Sequence, residues 1–154
     1  MSESSAASSG AEAPGAGGGQ LPVFVAQLDA RWGDLDAFNH VNNATYLTYL
    51  EQARLQWVQT LSNWYDAAAM PVLAASVLNY RRPIAWPERL AVELFCTRLG
   101  NTSITLAHRI VSSADPARLY CDGHVVMVWM NPATGKSAPL PASVRAASAA
   151  KPAE

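Results

Sequence analysis

Arg31-Trp32-Gly33-Asp34-Leu35-Asp36-Ala37-Phe38-Asn39-His40-Val41-Asn42-Asn43-Ala44-Thr45-Tyr46 is the stretch around which the rest of the chain is organised. It leads from a strand-like segment, through a polar elbow, into a helical one. It holds two carboxylates, a histidine and three asparagines. No other part of the chain is as dense in groups that carry chemistry, so a chemical site is expected here.

Upstream, Leu21 to Trp32 alternates, with Val23, Val25, Gln27, Asp29 and Arg31 on one side and Phe24, Ala26, Leu28, Ala30 and Trp32 on the other. A period of two predicts a first strand. Downstream, Tyr46, Leu50, Ala53, Trp57 and Leu61 recur at helical spacing, with Leu47, Val58 and Trp64 widening the stripe and Thr48, Gln52, Gln56, Gln59 and Asn63 opposite. The pattern predicts a helix from about Asn43 to about Asn63, roughly 30 Å long, with Asn42 or Asn43 as its N-cap. Its aromatic stripe reads as core.

The remainder is mostly strand. Val72 to Arg82, Arg89 to Leu99, Thr102 to Ser113 and Arg118 to Met130 are separated by a break around Pro87, by Gly100-Asn101 and by Asp115-Pro116. Short turns between long strands make antiparallel neighbours. The expected fold is therefore α+β, one long helix laid across a face of a curved antiparallel sheet of about five strands. Residues 1–20, built from Ser, Ala, Gly, Glu and Pro, are expected to be a disordered tail. Residues 21–145 are expected to form the one domain, and the Ala-rich residues 146–154 to fray. Both faces of the strands carry apolar residues: Leu90, Val92, Leu94 and Cys96 on one side, Ala91 and Phe95 on the other. One helix covers one face, so a homo-oligomer is expected.

A chain of 154 residues, 50% apolar and 15% charged, buries one core. With a formal net charge of -1 and cations scattered along the chain, there is no basic tract for nucleic acid or a membrane surface. No apolar run is long enough to span a bilayer, and no secretory signal opens the sequence. A cytoplasmic setting is expected, with Cys96 and Cys121 as buried, reduced thiols.

In the elbow, Asp34 and Asp36 have two readings. Both are turn-forming or capping residues, or one serves as nucleophile or general base. Helix-start N–H groups around Asn43, Ala44 and Thr45 suit a polarised carbonyl oxygen. A carboxylate with such donors is the minimum for acyl transfer. His40 is either a structural hydrogen-bonder or a participant, while His108 and His124 read as structural. No phosphate loop, metal-ligand spacing or serine elbow is present, so neither cofactor nor metal is expected. Arg81 and Arg82, at a strand end, suit phosphate groups. Tyr46 reads as core or as the wall of an acyl pocket, which Phe38 would shape.

The string Trp32 to Tyr46, with Glu51-Gln52-Ala53-Arg54, Tyr80-Arg81-Arg82-Pro83 and Pro139-Leu140-Pro141, resembles the hotdog-fold acyl-CoA thioesterases of the 4-hydroxybenzoyl-CoA thioesterase-like group. The resemblance covers about Val23 to Arg145. It implies a hotdog fold, an acyl-CoA substrate, and a dimer or dimer of dimers with active sites across the subunit boundary. It also implies that Asp36 is the catalytic carboxylate, that Asp34, Arg31 and Glu51 support the elbow, and that Asn43 is a polar contact near the thioester. Plant acyl-carrier-protein thioesterases are similar around Asp36 and His40 but have Asn where this chain has Phe38, so His40 enters only by that partial match. The alternative within the same fold is a non-catalytic acyl-CoA-binding or protein-interaction module. Hotdog hydratases are a poorer match: they resemble one another in an Asp and His about five apart with a Pro in the motif. Asp36 and His40 are four apart, without one.

Overall fold

A computed structural model of the chain describes residues 19–149. The expected N-terminal tail lies outside the described residues except for Gly19 and Gln20. Gln20 is anchored, its side-chain amide donating to the Cys96 carbonyl at 2.7 Å.

Five strands form one antiparallel sheet: β1 (Phe24–Asp29), β2 (Met70–Tyr80), β3 (Arg89–Leu99), β4 (Ser103–Ser112) and β5 (Leu119–Met130), in the order β1-β3-β4-β5-β2. The long helix α1 (Asn43–Gln59) packs on the inner face, principally on β1 and β3. This is the expected α+β hotdog arrangement. The helical stripe holds: Tyr46, Leu50, Ala53 and Trp57 are buried against Ala26, Leu28, Val92, Leu94, Leu106 and Ile110. Each large apolar side chain so enclosed stabilises the fold by roughly 1.5–3 kcal/mol.

Three boundaries and one side chain differ from the expectation. The first strand ends at Asp29, and a turn of 3-10 helix over Trp32–Asp34 redirects the chain, leaving Trp32 in solvent. The helix stops at Gln59 because the Thr60 hydroxyl and N–H both bond the Trp57 carbonyl, at 2.6 and 3.0 Å. Leu47, expected in the core stripe, is exposed on a flank of α1 that the sheet leaves open. The C-terminal segment does not fray at 146: Ala142–Ser148 form a second helix, α2, and Ala149 is also described. Leu140 and Val144 are buried in the main core, and Arg145 donates to the Gly100 carbonyl at 2.9 Å. Packing, rather than local propensity, orders this helix. Residues 150–154 lie outside the described residues.

The outward face of the sheet also differs. Ala91 and Phe95, with Ala107 and Val111 opposite them on β4, are already buried within the chain. Exposed apolar side chains gather instead on β2, at Met70, Val72, Leu73 and Val77.

Candidate active site

Asp34 fixes the elbow. Its carboxylate is buried and accepts the Arg31 N–H at 2.9 Å, the Arg31 guanidinium at 2.9 Å and the Tyr49 hydroxyl of α1 at 2.6 Å. Burial works against its charge, but the hydrogen bonds from Arg31 and Tyr49 outweigh burial and hold its pKa below the ordinary value. The Tyr49 hydroxyl is correspondingly raised, by burial and by the same carboxylate. The Asp34 carbonyl accepts the Asn42 N–H at 2.9 Å, which joins the elbow to the helix start. Arg31 and Asp34 thus support the loop, as the resemblance implied. Glu51 does not: it lines a separate groove between α1 and β2, with Arg54, Leu55 and Leu73.

Beyond Asp34 the chain makes a tight excursion. Asp36 N–H bonds the His40 carbonyl at 2.9 Å, Asn39 N–H bonds the Asp36 carbonyl at 3.1 Å, and Val41 N–H bonds the Ile84 carbonyl at 2.9 Å. Asn39 has a φ of 59°, a left-handed conformation that Asn tolerates well. Asp36 Oδ1 accepts the Phe38 N–H at 2.9 Å, and among the described residues Oδ2 accepts nothing. One carboxylate oxygen closes the turn and the other is free.

The helix start is partly committed. Asn42 is the N-cap, its Oδ1 accepting the Ala44 N–H at 2.8 Å, and its carbonyl accepts the Thr45 N–H at 2.9 Å. The amides of Ala44 and Thr45, expected to be free, are therefore taken by the cap. Among the described residues the Asn43 N–H has no acceptor.

Asp36, His40, Asn43 and Phe38 line one cavity of about 440 Å³, closed by Tyr46 of α1 and by Tyr80, Arg81, Arg82 and Pro83 at the end of β2. Ala44 and Thr45, placed at the site by the sequence, do not line it. Tyr46 and Tyr80 meet edge to face, 5.0 Å between ring centres. The Tyr80 hydroxyl donates to the Asn43 carbonyl at 3.0 Å, tying β2 to the helix start. Burial pushes the Tyr46 hydroxyl up to about 12, so it stays protonated and a donor at neutral pH. Tyr80 belongs to the string Tyr80-Arg81-Arg82-Pro83 that carries part of the resemblance, but local spacing gives it no role at the site; the contact with Asn43 does.

The two arginines separate. Arg81 is held by Asp122 of β5 through two bonds, at 3.1 and 3.0 Å, while Arg82 has no ion-pair partner among the described residues. Cys96 and Cys121 are buried free thiols; burial raises both, Cys121 to about 12, which makes them poor nucleophiles. Among the described residues no group of three or more His, Cys, Asp or Glu is placed to hold a metal ion. No helix there is long and apolar enough to cross a membrane.

Comparison with known proteins bears on the fold and the family. The PA2801 protein of Pseudomonas aeruginosa superposes with a TM-score of 0.78 at 41% identity, over 82% of this chain and 98% of that one. A Thermus thermophilus thioesterase solved with coenzyme A and zinc superposes with a TM-score of 0.69 at 29% identity, over 82% of this chain and 92% of its own. The long-chain acyl-CoA thioesterase FadM of Escherichia coli is 26% identical over 122 residues, 77% of this chain and 92% of that protein. A family model for the thioesterase-like superfamily matches residues 30–148, from the approach to the elbow to the end of α2, and the chain belongs to that superfamily.

Proposed function

We propose that this chain is an acyl-CoA thioester hydrolase in which Asp36 does the chemistry. One observation carries the reading: Asp36, whose Oδ2 has no donor among the described residues, and Asn43, whose N–H has no acceptor there, line the same cavity. The N–H at the start of α1 supplies a donor for the thioester oxygen as it gains negative charge. Two routes use the same atoms. In one, Oδ2 attacks the carbonyl carbon, the C–S bond breaks, the thiolate leaves and takes a proton, and water opens the resulting anhydride. In the other, Oδ2 takes a proton from water as the water oxygen attacks, and the tetrahedral intermediate expels the thiolate. His40, Asn43, Arg81 and Arg82 add polar groups to the lining, and Phe38, Tyr46 and Tyr80 are its aromatic walls. The relatives' acyl-CoA chemistry supports the substrate class. The open edge at β2 supports a second copy of the chain as partner.

The test is thiol release from short, medium, long and aromatic acyl-CoAs by the wild type and by Asp36→Asn. The expected result is turnover that falls by about a hundredfold or more in the variant, the scale of losing a catalytic group, while ester binding persists. Saturable binding with no release from any ester would favour a binding module instead.

A further inference from the structure

The cavity at Asp36 does not end at Arg82. A second one, of about 450 Å³, begins at the same two residues, Arg82 and Pro83, and runs past Pro87 to Arg118 and Tyr120. Its wall on one side is Pro83, Ala85 and Pro87, which offer no charged or hydrogen-bonding side chain. Its cations are Arg82 and Arg118, and neither is clamped by two hydrogen bonds to one carboxylate as Arg81 is. Arg82 has no ion-pair partner among the described residues, whereas Arg118 lies 4.0 Å from the carboxylate of half-exposed Asp115 and within the influence of Tyr120 and Glu88. Glu88 is the only acidic residue of the lining, and its carboxylate already accepts from the Tyr120 hydroxyl, from the Ser112 hydroxyl at 3.3 Å and from the Arg89 N–H at 3.0 Å. The cavity therefore presents one unpaired guanidinium, Arg82, and one loosely held at the surface, Arg118, against the single carboxylate of Glu88, and it shares Arg82 and Pro83 with the cavity that Asp36 lines.

We propose that this second cavity seats the phosphates at the nucleotide end of the CoA ester, with Arg82 and Arg118 as their cations. The proposal rests on the acyl-CoA reading above. Guanidinium groups match phosphate oxygens in geometry as well as charge. The pantetheine arm would then cross Arg82 and Pro83, the pair shared by the two cavities, with the thioester at Asp36 and the phosphates toward Arg118. A carrier protein's pantetheine arm lacks the adenosine 3′,5′-bisphosphate part. The arrangement thus selects free CoA esters over the same acyl group on a carrier.

The experiment compares an acyl-CoA with the matching acyl-pantetheine, which has the arm and no phosphate, in the wild type, Arg118→Gln and Arg118→Lys. Arg118→Gln is expected to lower the ratio of kcat/KM for acyl-CoA to that for acyl-pantetheine about tenfold, the scale of one charge-assisted contact. The fall should appear in the KM for acyl-CoA, and Arg118→Lys should recover part of it. In parallel, adenosine 3′,5′-bisphosphate is titrated into each protein by calorimetry, with weaker binding expected in Arg118→Gln. An unchanged ratio, or bisphosphate binding that ignores Arg118, overturns the proposal. If no thioester is hydrolysed by the wild type but the bisphosphate binds through Arg118, the phosphate site stands and the hydrolase reading falls.

Discussion

Asp34 and Asp36 stand two residues apart and have opposite surroundings. Asp34 is enclosed by Arg31 and Tyr49 and spends both oxygens on holding the elbow; Asp36 spends one and leaves the other to the cavity. The sequence made the pair visible but not this division, because Tyr49 reaches back from the helix only once α1 has docked. His108 gives a second case in which burial decides. It sits on the inner face of β4, 1% exposed, its Nε2 without a partner among the described residues. Burial first, then the nearby Arg54 and His124, push its pKa down from 6.5 to about 4, and Asp122 opposes them. Between those values the unfolded chain takes up a proton at this position and the folded chain does not. Stability from this residue is therefore present above about pH 6.5 and is lost as pH falls toward about 4. The expected loss is about 2 kcal/mol between about pH 7 and about pH 5. Urea unfolding across that range should show the slope in the wild type and a flatter curve in His108→Gln; equal slopes would refute the assignment.

Strands and helix were legible as elements because their periods are long and clean, and their ends were not. Thr60 closes α1 by a bond to Trp57, and α2 exists because Leu140 and Val144 find the core, events that local spacing does not encode. The half of the site carried by the elbow was legible for a related reason: Asp36, His40 and Asn43 are neighbours in sequence. The half from β2 was not. Arg81 looked as available as Arg82 until the β2–β5 register set Asn79 opposite Asp122, which brings Arg81 to that carboxylate. That register depends on Gly123. A Cβ there would lie 1.9 Å from the Val77 carbonyl oxygen of β2 and 2.9 Å from His108 Nε2, so backbone must move to admit it. Gly123→Ala is expected to cost about 2 kcal/mol or more by overpacking and to loosen β2, carrying Tyr80 away from the Asn43 carbonyl. Gly33→Ala is the comparison: a Cβ there meets nothing within 4 Å, and the expected change is within about 0.5 kcal/mol. Thermal melts of the two variants, run beside thiol-release assays, check both. Equal melting temperatures would mean that β2 does not need the close approach.

At the scale of the whole molecule the sheet has two unlike edges. β1 is six residues long, and of its outward-facing Val25, Gln27 and Asp29 two are polar. β2 is eleven residues long, carries no charged residue between Met70 and Tyr80, and leaves Val72, Leu73 and Val77 exposed. Edge strands that stay free in solution are ordinarily short, charged, bulged or covered. β2 has a register shift between Leu73 and Ala75 and one proline, Pro71, which interrupt it only near its start. The groove beside it, between Leu55 of α1 and Leu73, is apolar apart from Glu51 and Arg54. A second copy of the chain meeting this edge would cover the exposed row and bury the groove in one step. Specific protein interfaces bury about 800 Å² per partner, and an eleven-residue edge with an adjoining helix flank offers that scale of surface. Sedimentation at micromolar concentration is therefore expected to give twice the chain mass of 16.5 kDa, with a melting temperature that rises with concentration. Leu73→Lys with Val77→Lys, which sets like charges along the edge without touching the cavity at Asp36, should shift the protein toward monomer and remove the concentration dependence. A wild type that sediments as a monomer would leave β2 as an exposed edge and remove the second copy from the account of this fold.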